Sequence, residues 1–412
     1  MEEQFTVRFA DRMNQLPPYL FGMINKMKME KRWRGDDVID LAMGNPIDPT
    51  PDPVTDKLCE VAVDPKIHRY PAVAGGMKNL KREIALYYQR NYGVELVGEE
   101  DVICTIGSKE GISHLCLALL GPGDTVLTPA PAFPIHVYAA VIAGANVLRI
   151  PISSEDTFLA QIVGMCKSLF PGPKLLMLNY PHNPTGTLAS KEFFAEVVKL
   201  AKKHNFMVIN DFAYSKITFD GYVAPSLLEV DGAMDVGVEF GSFSKSYNMA
   251  GWRLGYCVGN TEMIGGLSKI KGYYDYGIFS AIQVAGIVAM RDCDDNISEQ
   301  VEVYQKRRDV LCEGLMKMDW EVEVPKAGMF LWVKIPEPYI QMGSIKFSIE
   351  MMNRANVAVT PGAGFGEEGD GYLRLALVEN ENRVNQALKQ MRRALRDIDS
   401  EVEAGSFLLA PD

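Results

Sequence analysis

Short apolar segments alternate with longer segments of helical periodicity between residues 100 and 260. One of the helical segments, residues 190–204, carries an apolar stripe that includes Phe193, Val197 and Ala201. This alternation predicts an α/β fold in which a mostly parallel central sheet is flanked by helices on both faces. The predicted strands cover residues 101–106, 124–129, 145–151, 174–179, 206–211, 236–242 and 254–259.

The pattern changes after residue 290, where a long helix is predicted from Asp295 to about Leu315. Further segments then predict a smaller α+β domain, with strands at 321–325, 329–336 and 357–360 and helices at 344–355 and 380–398. Four parts of the chain are expected. They are an N-terminal arm (1–45) that packs with the small domain, a large domain (46–290), the small domain (291–400) and a flexible tail (401–412).

Composition and charge exclude several classes of protein. Apolar residues make up 47% of the 412 positions, which is enough to form a substantial core and argues against disorder. The formal net charge is −11, so the overall field repels nucleic acids and anionic membranes. The charge-free stretch 125–148 is interrupted by prolines, and the N-terminus lacks the pattern of a secretory signal. We therefore expect a cytoplasmic protein.

Cysteine and histidine spacing gives no indication of a disulfide framework or a metal site. The seven cysteines are scattered and contain no CxxC pair, and the five histidines show no ligand spacing. The thiols are expected to be reduced, and no metal is expected.

Polar residues follow four of the predicted strands. In an open parallel sheet the carboxyl ends of the strands form the ligand crevice, so residues at these positions are candidates for a functional site. The segments are Gly107-Ser108-Lys109, residues 179–186 (NYPHNPTG), residues 211–214 (DFAY) and residues 242–245 (SFSK). Each segment taken alone is also compatible with an ordinary turn.

Taken together, these motifs resemble those of the class I/II aminotransferases of pyridoxal phosphate fold type I. The resemblance is carried by NYPHNPTG (179–186), DFAY (211–214), SFSKSYNMAGWRLGY (242–256) and YLRLAL (372–377), in this order, and extends from about residue 15 to residue 400. It implies pyridoxal 5′-phosphate as the cofactor.

The resemblance implies roles for the residues around the cofactor ring. Lys245 would bond covalently to pyridoxal phosphate and then move the proton at the substrate Cα. Asp211 would pair with the pyridine nitrogen. Tyr214 and Asn183 would donate hydrogen bonds to the cofactor's phenolic oxygen, and Phe133 would stack on the ring.

The remaining roles concern the phosphate and the substrate. The phosphate would be held by Gly107, Ser108, Lys109, Ser242 and Arg253. Arg374, assisted by Asn183 and the backbone of Gly44, would bind the substrate α-carboxylate. Tyr70 would reach the phosphate of the neighbouring subunit, which implies a homodimer with shared active sites.

Several functions remain open on this fold. No arginine occurs between Arg253 and Arg291, the region in which aspartate-type enzymes carry a side-chain clamp. The stretches KGYYDYGIFSAIQ and VEVPKAGMFLWVKIPEPY look most like those of bacterial glutamate–pyruvate aminotransferases. Alanine and glutamate with pyruvate and 2-oxoglutarate are therefore the expected substrates. The alternatives are a broader aspartate, aromatic or diaminopimelate aminotransferase, or a pyridoxal phosphate lyase. A non-enzymatic binding protein is disfavoured because Lys245 and Arg374 are both present.

Overall fold

A computed structural model describes residues 6–410 of the chain. Within that range the helices are α1 (Leu20–Trp33), α2 (Asp52–Ala62), α3 (Lys78–Tyr92), α4 (Ser108–Leu119), α5 (Pro134–Ile142), α6 (Glu155–Ser168), α7 (Lys191–His204), α8 (Ala233–Val236), α9 (Phe243–Ser246), α10 (Thr261–Tyr274), α11 (Ser280–Asp292), α12 (Asp294–Met316), α13 (Gly343–Ala355) and α14 (Glu381–Glu403). None of these helices combines the length and the apolar character that crossing a bilayer requires.

The strands of the same range fall into three sheets. They are β1 (Ile39–Asp40), β2 (Val102–Thr105), β3 (Thr125–Ala130), β4 (Asn146–Pro151), β5 (Leu175–Leu178), β6 (Met207–Asp211), β7 (Gly237–Ser242), β8 (Gly255–Gly259), β9 (Phe330–Lys334), β10 (Val357–Ala358), β11 (Thr360–Pro361) and β12 (Tyr372–Ala376).

The central sheet contains seven strands in the order β2-β8-β7-β6-β5-β3-β4. The pairs from β7 across to β4 are parallel, whereas β8 runs antiparallel to both of its neighbours. The predicted α/β class with a mostly parallel sheet is confirmed. The carboxyl ends of β2, β5, β6 and β7 therefore lie at one edge, with the start of β8 beside them.

Helix α7 illustrates how local sequence builds the layers around this sheet. The Ser190 side chain caps its first turn by accepting a hydrogen bond from the Phe193 amide, and Asn205 ends it in the left-handed conformation. The stripe predicted from the sequence is buried, with Phe194 and Val197 fully inaccessible. This burial fixes the helix against the sheet.

The small lobe is assembled from both ends of the chain. A three-stranded antiparallel sheet has the order β11-β12-β9, and β1 pairs in parallel with β10, with Ile39 opposite Val357. Ile24 of α1 packs against Met352 of α13 in the same region. The arm thus contributes a strand and a helix to the small lobe.

Helix α12 belongs to two hydrophobic cores. Ile297, in its first turn, lies in the core of the large lobe, whereas Leu311 and Leu315 lie in the core of the small lobe. Val301 packs against both cores. We propose that the domain boundary lies near residue 290, as the sequence pattern indicates, with α12 spanning the junction.

Three expectations differ from the structure. The strand predicted over residues 357–360 is divided into β10 and β11, which belong to different sheets. Residues 321–325 form no strand: Pro325 has no amide hydrogen to donate, and Glu323 and Val324 are exposed rather than packed on a sheet. The tail expected over residues 401–412 begins inside α14, which continues to Glu403, and its flexibility stays a prediction. Beyond it, the Phe407 ring lies 5.2 Å from the guanidinium of Arg354, so an aromatic contact holds this segment against the small lobe.

A buried carboxylate on β7 joins the sheet to its covering elements. Glu239 is fully inaccessible and accepts hydrogen bonds from Tyr88 Oη at 2.8 Å and Asn210 Nδ2 at 2.9 Å. It also accepts from Ser226 Oγ at 2.8 Å and from the Leu227 amide at 2.9 Å. Burial raises the pKa of Glu239 to about 7, although these donors oppose the shift.

This carboxylate should make the stability of the fold depend on pH. Because the pKa of Glu239 is higher in the folded than in the unfolded chain, its contribution is fully present at acidic pH and is lost as pH rises through about 7. The free energy of unfolding should fall between pH 5 and pH 8 by on the order of 3 kcal/mol because of Glu239, and Glu239→Gln should remove this part of the pH dependence. Denaturant midpoints at both pH values, with the exposed Glu196→Gln as control, measure it. An equal change of the denaturant midpoint with pH in Glu239→Gln and in the wild type would contradict this expectation.

Candidate active site

A cavity of about 650 Å³ lies at the carboxyl edge of the central sheet, between the two lobes. It is lined by residues from the arm, the strand ends and the small lobe. The structure brings together eleven residues that the sequence singles out: Gly44, Ser108, Lys109, Phe133, Asn183, Asp211, Tyr214, Ser242, Lys245, Arg253 and Arg374.

The amine of Lys245 points across this cavity from the short helix α9. Its Nζ donates a hydrogen bond to the carbonyl oxygen of Gly44 at 2.5 Å. Burial, followed by the positive charges of Arg374 and Arg253, lowers the pKa of Lys245 to about 8. A sizeable fraction of this amine is therefore neutral near physiological pH and able to act as a nucleophile or a base.

Asp211 ends β6 and is held from two sides. The carboxylate Oδ2 lies 2.9 Å from Nε2 of His136, which is buried on α5. The backbone carbonyl of Asp211 accepts a hydrogen bond from Asn179 Nδ2 at 2.6 Å. The contact with the imidazole fixes the carboxylate in a buried position, from which its negative charge can stabilise a protonated ring nitrogen.

Asn183 and Tyr214 form a polar pair beside the lysine. The side-chain Nδ2 of Asn183 lies 3.5 Å from the Tyr214 hydroxyl, and the backbone N–H of Asn183 donates to Asn179 Oδ1 at 2.9 Å. Burial raises the pKa of Tyr214, so its hydroxyl remains protonated and can donate a hydrogen bond.

Arg374 is a buried cation that donates to neutral oxygens. Its Nη1 donates to Asn183 Oδ1 at 2.9 Å and its Nη2 to the carbonyl of Ala42 at 3.0 Å. The guanidinium lies 3.9 Å from the centre of the Phe330 ring, and its Nε has no partner among the described residues. A planar cation with donors to spare suits a carboxylate ligand.

Gly44 permits the close packing above this arginine. A Cβ atom at Gly44 would lie 2.4 Å from the Phe330 ring, which supports Arg374. The same residue offers its carbonyl to Lys245. The loop from the arm therefore approaches both cations through its backbone.

The start of helix α4 forms an anion cradle. Gly107 adopts a positive φ of 73°, and a Cβ there would lie 2.5 Å from Nη2 of Arg253. A Cβ at Gly255 would lie 2.8 Å from the Ser108 amide. Gly107 and Gly255 thus leave a space between the Arg253 guanidinium and the free amides at the start of α4. This space fits a phosphate group.

Lys109 points away from this cradle. Its Nζ lies 5.7 Å from the centre of the Tyr19 ring and 5.9 Å from that of Phe133. Desolvation and the charge of Arg253 lower the pKa of Lys109. The side chain is exposed, and no ion pair joins it to another described residue. We propose that Lys109 contributes its backbone amide to the phosphate; its role there stays a prediction.

Tyr70 lies outside the cavity lining of its own chain. Its side chain is 87% exposed, and its ring contacts Tyr276 at 5.9 Å between centroids. These rings form an aromatic surface patch.

One group of potential metal ligands occurs among the described residues, formed by Glu110, His114 and Asp275. The buried Lys271 lies between the two carboxylates, with its Nζ 3.1 Å from Glu110 and 2.9 Å from Asp275. An ammonium thus supplies the positive charge at this group. The absence of a metal from the protein stays a prediction.

Sequence reasoning missed the contribution of His136 and gave no role to Asn179. His136 is separated from Asp211 by 75 positions, and its contact depends on how α5 lies over the sheet. A signal was present: His136 occurs three residues after Phe133, at the start of a helix that follows a strand end.

The fold and the cavity define a class of protein. A partly buried lysine of lowered pKa, a carboxylate for a ring nitrogen and a phosphate cradle at a helix start are the requirements of a pyridoxal phosphate enzyme. The buried guanidinium of Arg374 adds a place for a substrate carboxylate.

Comparisons with known proteins agree with this class. The family model for aminotransferase class I and II matches residues 36–391. The glutamate-pyruvate aminotransferase AlaC of Escherichia coli is 46% identical over 96% of this chain and 94% of that protein. An LL-diaminopimelate aminotransferase of Halothermothrix orenii is 42% identical over 93% of this chain and 98% of that protein. Substrate-bound BacF from Bacillus subtilis superposes with a TM-score of 0.89 at 30% identity, over 94% and 98% of the two chains.

The chain belongs to the class I and II aminotransferases. It is a transaminase whose cofactor is pyridoxal phosphate, as that family requires. The resemblance drawn from the motifs is confirmed at the level of the family.

The lysine assignment can be tested directly. Purified protein should be yellow, and borohydride should fix the colour covalently on Lys245, the buried amine of lowered pKa. Lys245→Ala should abolish both fixation and turnover, whereas Lys199→Ala, at an exposed position on α7, should leave both unchanged. Peptide mapping by mass spectrometry locates the adduct. An adduct on another lysine would overturn the assignment.

Proposed function

We propose that this aminotransferase transfers amino groups between alanine or glutamate and pyruvate or 2-oxoglutarate. The observation that carries the proposal is the position of Lys109. Its ammonium lies at the cavity wall, beside Tyr19 and Phe133, without a carboxylate partner among the described residues. The similarity to AlaC supports the same substrates.

Lys109 explains how one site would accept two unlike side chains. The distal carboxylate of glutamate would gain a charge-assisted hydrogen bond from this ammonium. Alanine would leave the ammonium without a carboxylate, but at little cost because Lys109 is exposed to water. A buried arginine clamp would reject alanine, and the sequence carries no arginine between Arg253 and Arg291.

The residues of the cavity would divide the reaction between them. Pyridoxal phosphate, when bound, supplies an electron-withdrawing ring that eases removal of the Cα proton. Arg374 would bind the α-carboxylate, and Asn183 would hold the guanidinium in place. Lys245 would accept the proton from the substrate Cα and deliver it to C4′ of the cofactor. Asp211, fixed by His136, would keep the ring nitrogen charged.

LL-diaminopimelate is a second candidate substrate. Relatives that carry this name are 42% identical to the chain. The cavity is also lined by the ion pair Lys28–Asp40 and by Glu379, and these groups of both signs would suit a distal amino acid group. A donor panel that includes this compound separates the two candidates.

The enzyme would work as a homodimer in the cytoplasm. The exposed aromatic pair of Tyr70 and Tyr276 supports an interface, since aromatic residues are enriched at such surfaces. The free thiols of the seven cysteines suit a reducing compartment.

The substrate proposal is tested by the side chain of Lys109. Alanine and glutamate should both serve as donors, with aspartate poorer because its shorter carboxylate falls short of the ammonium. Lys109→Met should lower kcat/KM for glutamate by about tenfold and leave alanine within about twofold. Lys109→Arg, which keeps the charge, should restore most of the loss. Aspartate at or above alanine, or equal losses for both donors, would contradict the proposal.

The dimer is tested by mixing two variants. Tyr70→Phe should retain pyridoxal phosphate less well, because the phosphate would lose a hydroxyl from the neighbouring subunit. Mixing this protein with Lys245→Ala should raise activity above the sum of the two, because each hybrid dimer contains one intact site. Light scattering gives the mass of the active species. An active monomer would refute the shared site.

A further inference from the structure

The backbone carbonyl of Lys245 lies at the end of a very short helix. Helix α9 spans only Phe243–Ser246, so its last carbonyls have no amide of the same helix to accept from. Gln300 of α12 fills this position: its Nε2 donates to Lys245 O at 2.8 Å and to Asn248 Oδ1 at 2.7 Å. Gln300 is 8% exposed, so water competes little for these bonds.

The turn that follows the lysine is anchored from a second side. Asn248 has a positive φ of 52°, and its carbonyl accepts a hydrogen bond from Thr50 Oγ1 at 2.8 Å. Its Nδ2 donates to Pro49 O at 3.1 Å. The left-handed turn is therefore tied both to α12 and to the loop around residues 48–50.

These contacts close a ring around Lys245. Its Nζ is bonded to Gly44 in the arm loop, and its carbonyl is bonded to Gln300. Arg307, two turns further along α12 and thus on the same face, forms a bidentate pair with Asp48 of that loop, both distances being 2.7 Å. The amine of Lys245 is therefore bonded to the arm loop and its backbone to α12, and the Arg307–Asp48 pair joins these two elements to each other.

We propose that Gln300 is a positioning residue that fixes the backbone at Lys245 and ties it to α12, the helix that both lobes share. The proposal rests on the role assigned to Lys245 above. Since α12 also packs into the core that contains Phe330, whose ring lies against Arg374, the same helix sets the lysine relative to the site of the substrate carboxylate. Sequence reasoning gave Gln300 no role, because the bond joins positions 55 residues apart.

Gln300→Met tests this proposal, because methionine matches the length of glutamine but donates no hydrogen bond. Gln305→Met is the matched control: it lies on the same helix, and its side chain accepts only from the Asp220 amide at 3.4 Å. Gln300→Met should lower kcat by about tenfold with little change in KM, because misplacement of the reacting group affects the chemical step. Gln305→Met should behave as the wild type.

A second measurement uses the protein without its cofactor. Competitive acetylation, read by mass spectrometry across a pH series, reports the pKa of Lys245. Release of the backbone should let the amine leave its desolvated position, so the midpoint should move upward in Gln300→Met and stay unchanged in Gln305→Met. An unchanged midpoint together with an unchanged kcat would overturn the proposal.

Failure of the lysine assignment is recognised separately. Borohydride fixation on Lys245 in both the wild type and Gln300→Met shows that the reacting lysine is assigned correctly, so an unaffected variant then counts against Gln300 alone. Fixation on another lysine would overturn the role of Lys245 and that of Gln300 with it. Equal losses of kcat in Gln300→Met and Gln305→Met would indicate a general defect of α12 and would also overturn the proposal.

Discussion

The buried positive charge of Arg374 constrains most of the site. A guanidinium taken out of water is costly unless other groups replace its hydration. Here the Phe330 face, Asn183 Oδ1 and the Ala42 carbonyl do so without supplying a negative charge. The site therefore remains open to an anionic ligand, and after burial itself the charge of Arg374 helps to lower the pKa of Lys245.

The sheet topology explains why these groups meet. Asp211 and Ser242 end parallel strands, Asn179 and Gly107 follow two others, and all four consequently lie at one edge. Strand β8 runs in the opposite direction, so its first residue, Gly255, reaches the same edge. A single antiparallel strand thus brings the segment after Lys245 back to the phosphate cradle.

The parts of the structure that could be predicted from sequence depend on local pattern. Strand periodicity and the residues just after strands indicated the sheet and the cavity residues such as Lys245 and Asp211. His136 and Gln300 could not be found in this way, because their contacts depend on helix placement across the sheet. The strand predicted at 321–325 failed for a different reason: Val322 and Val324 suggested pairing, but Pro325 has no amide hydrogen to donate and no described strand pairs with this segment.

The pairing of β1 with β10 has a consequence for biosynthesis. Ile39 emerges from the ribosome early, whereas its partner Val357 is among the later residues to be made. The large lobe lies between them in the chain, so its core can condense while β1 is still unpaired. The first of the described strands to be translated is thus among the last to pair, and until then Ile39 lacks the small-lobe core in which it is buried.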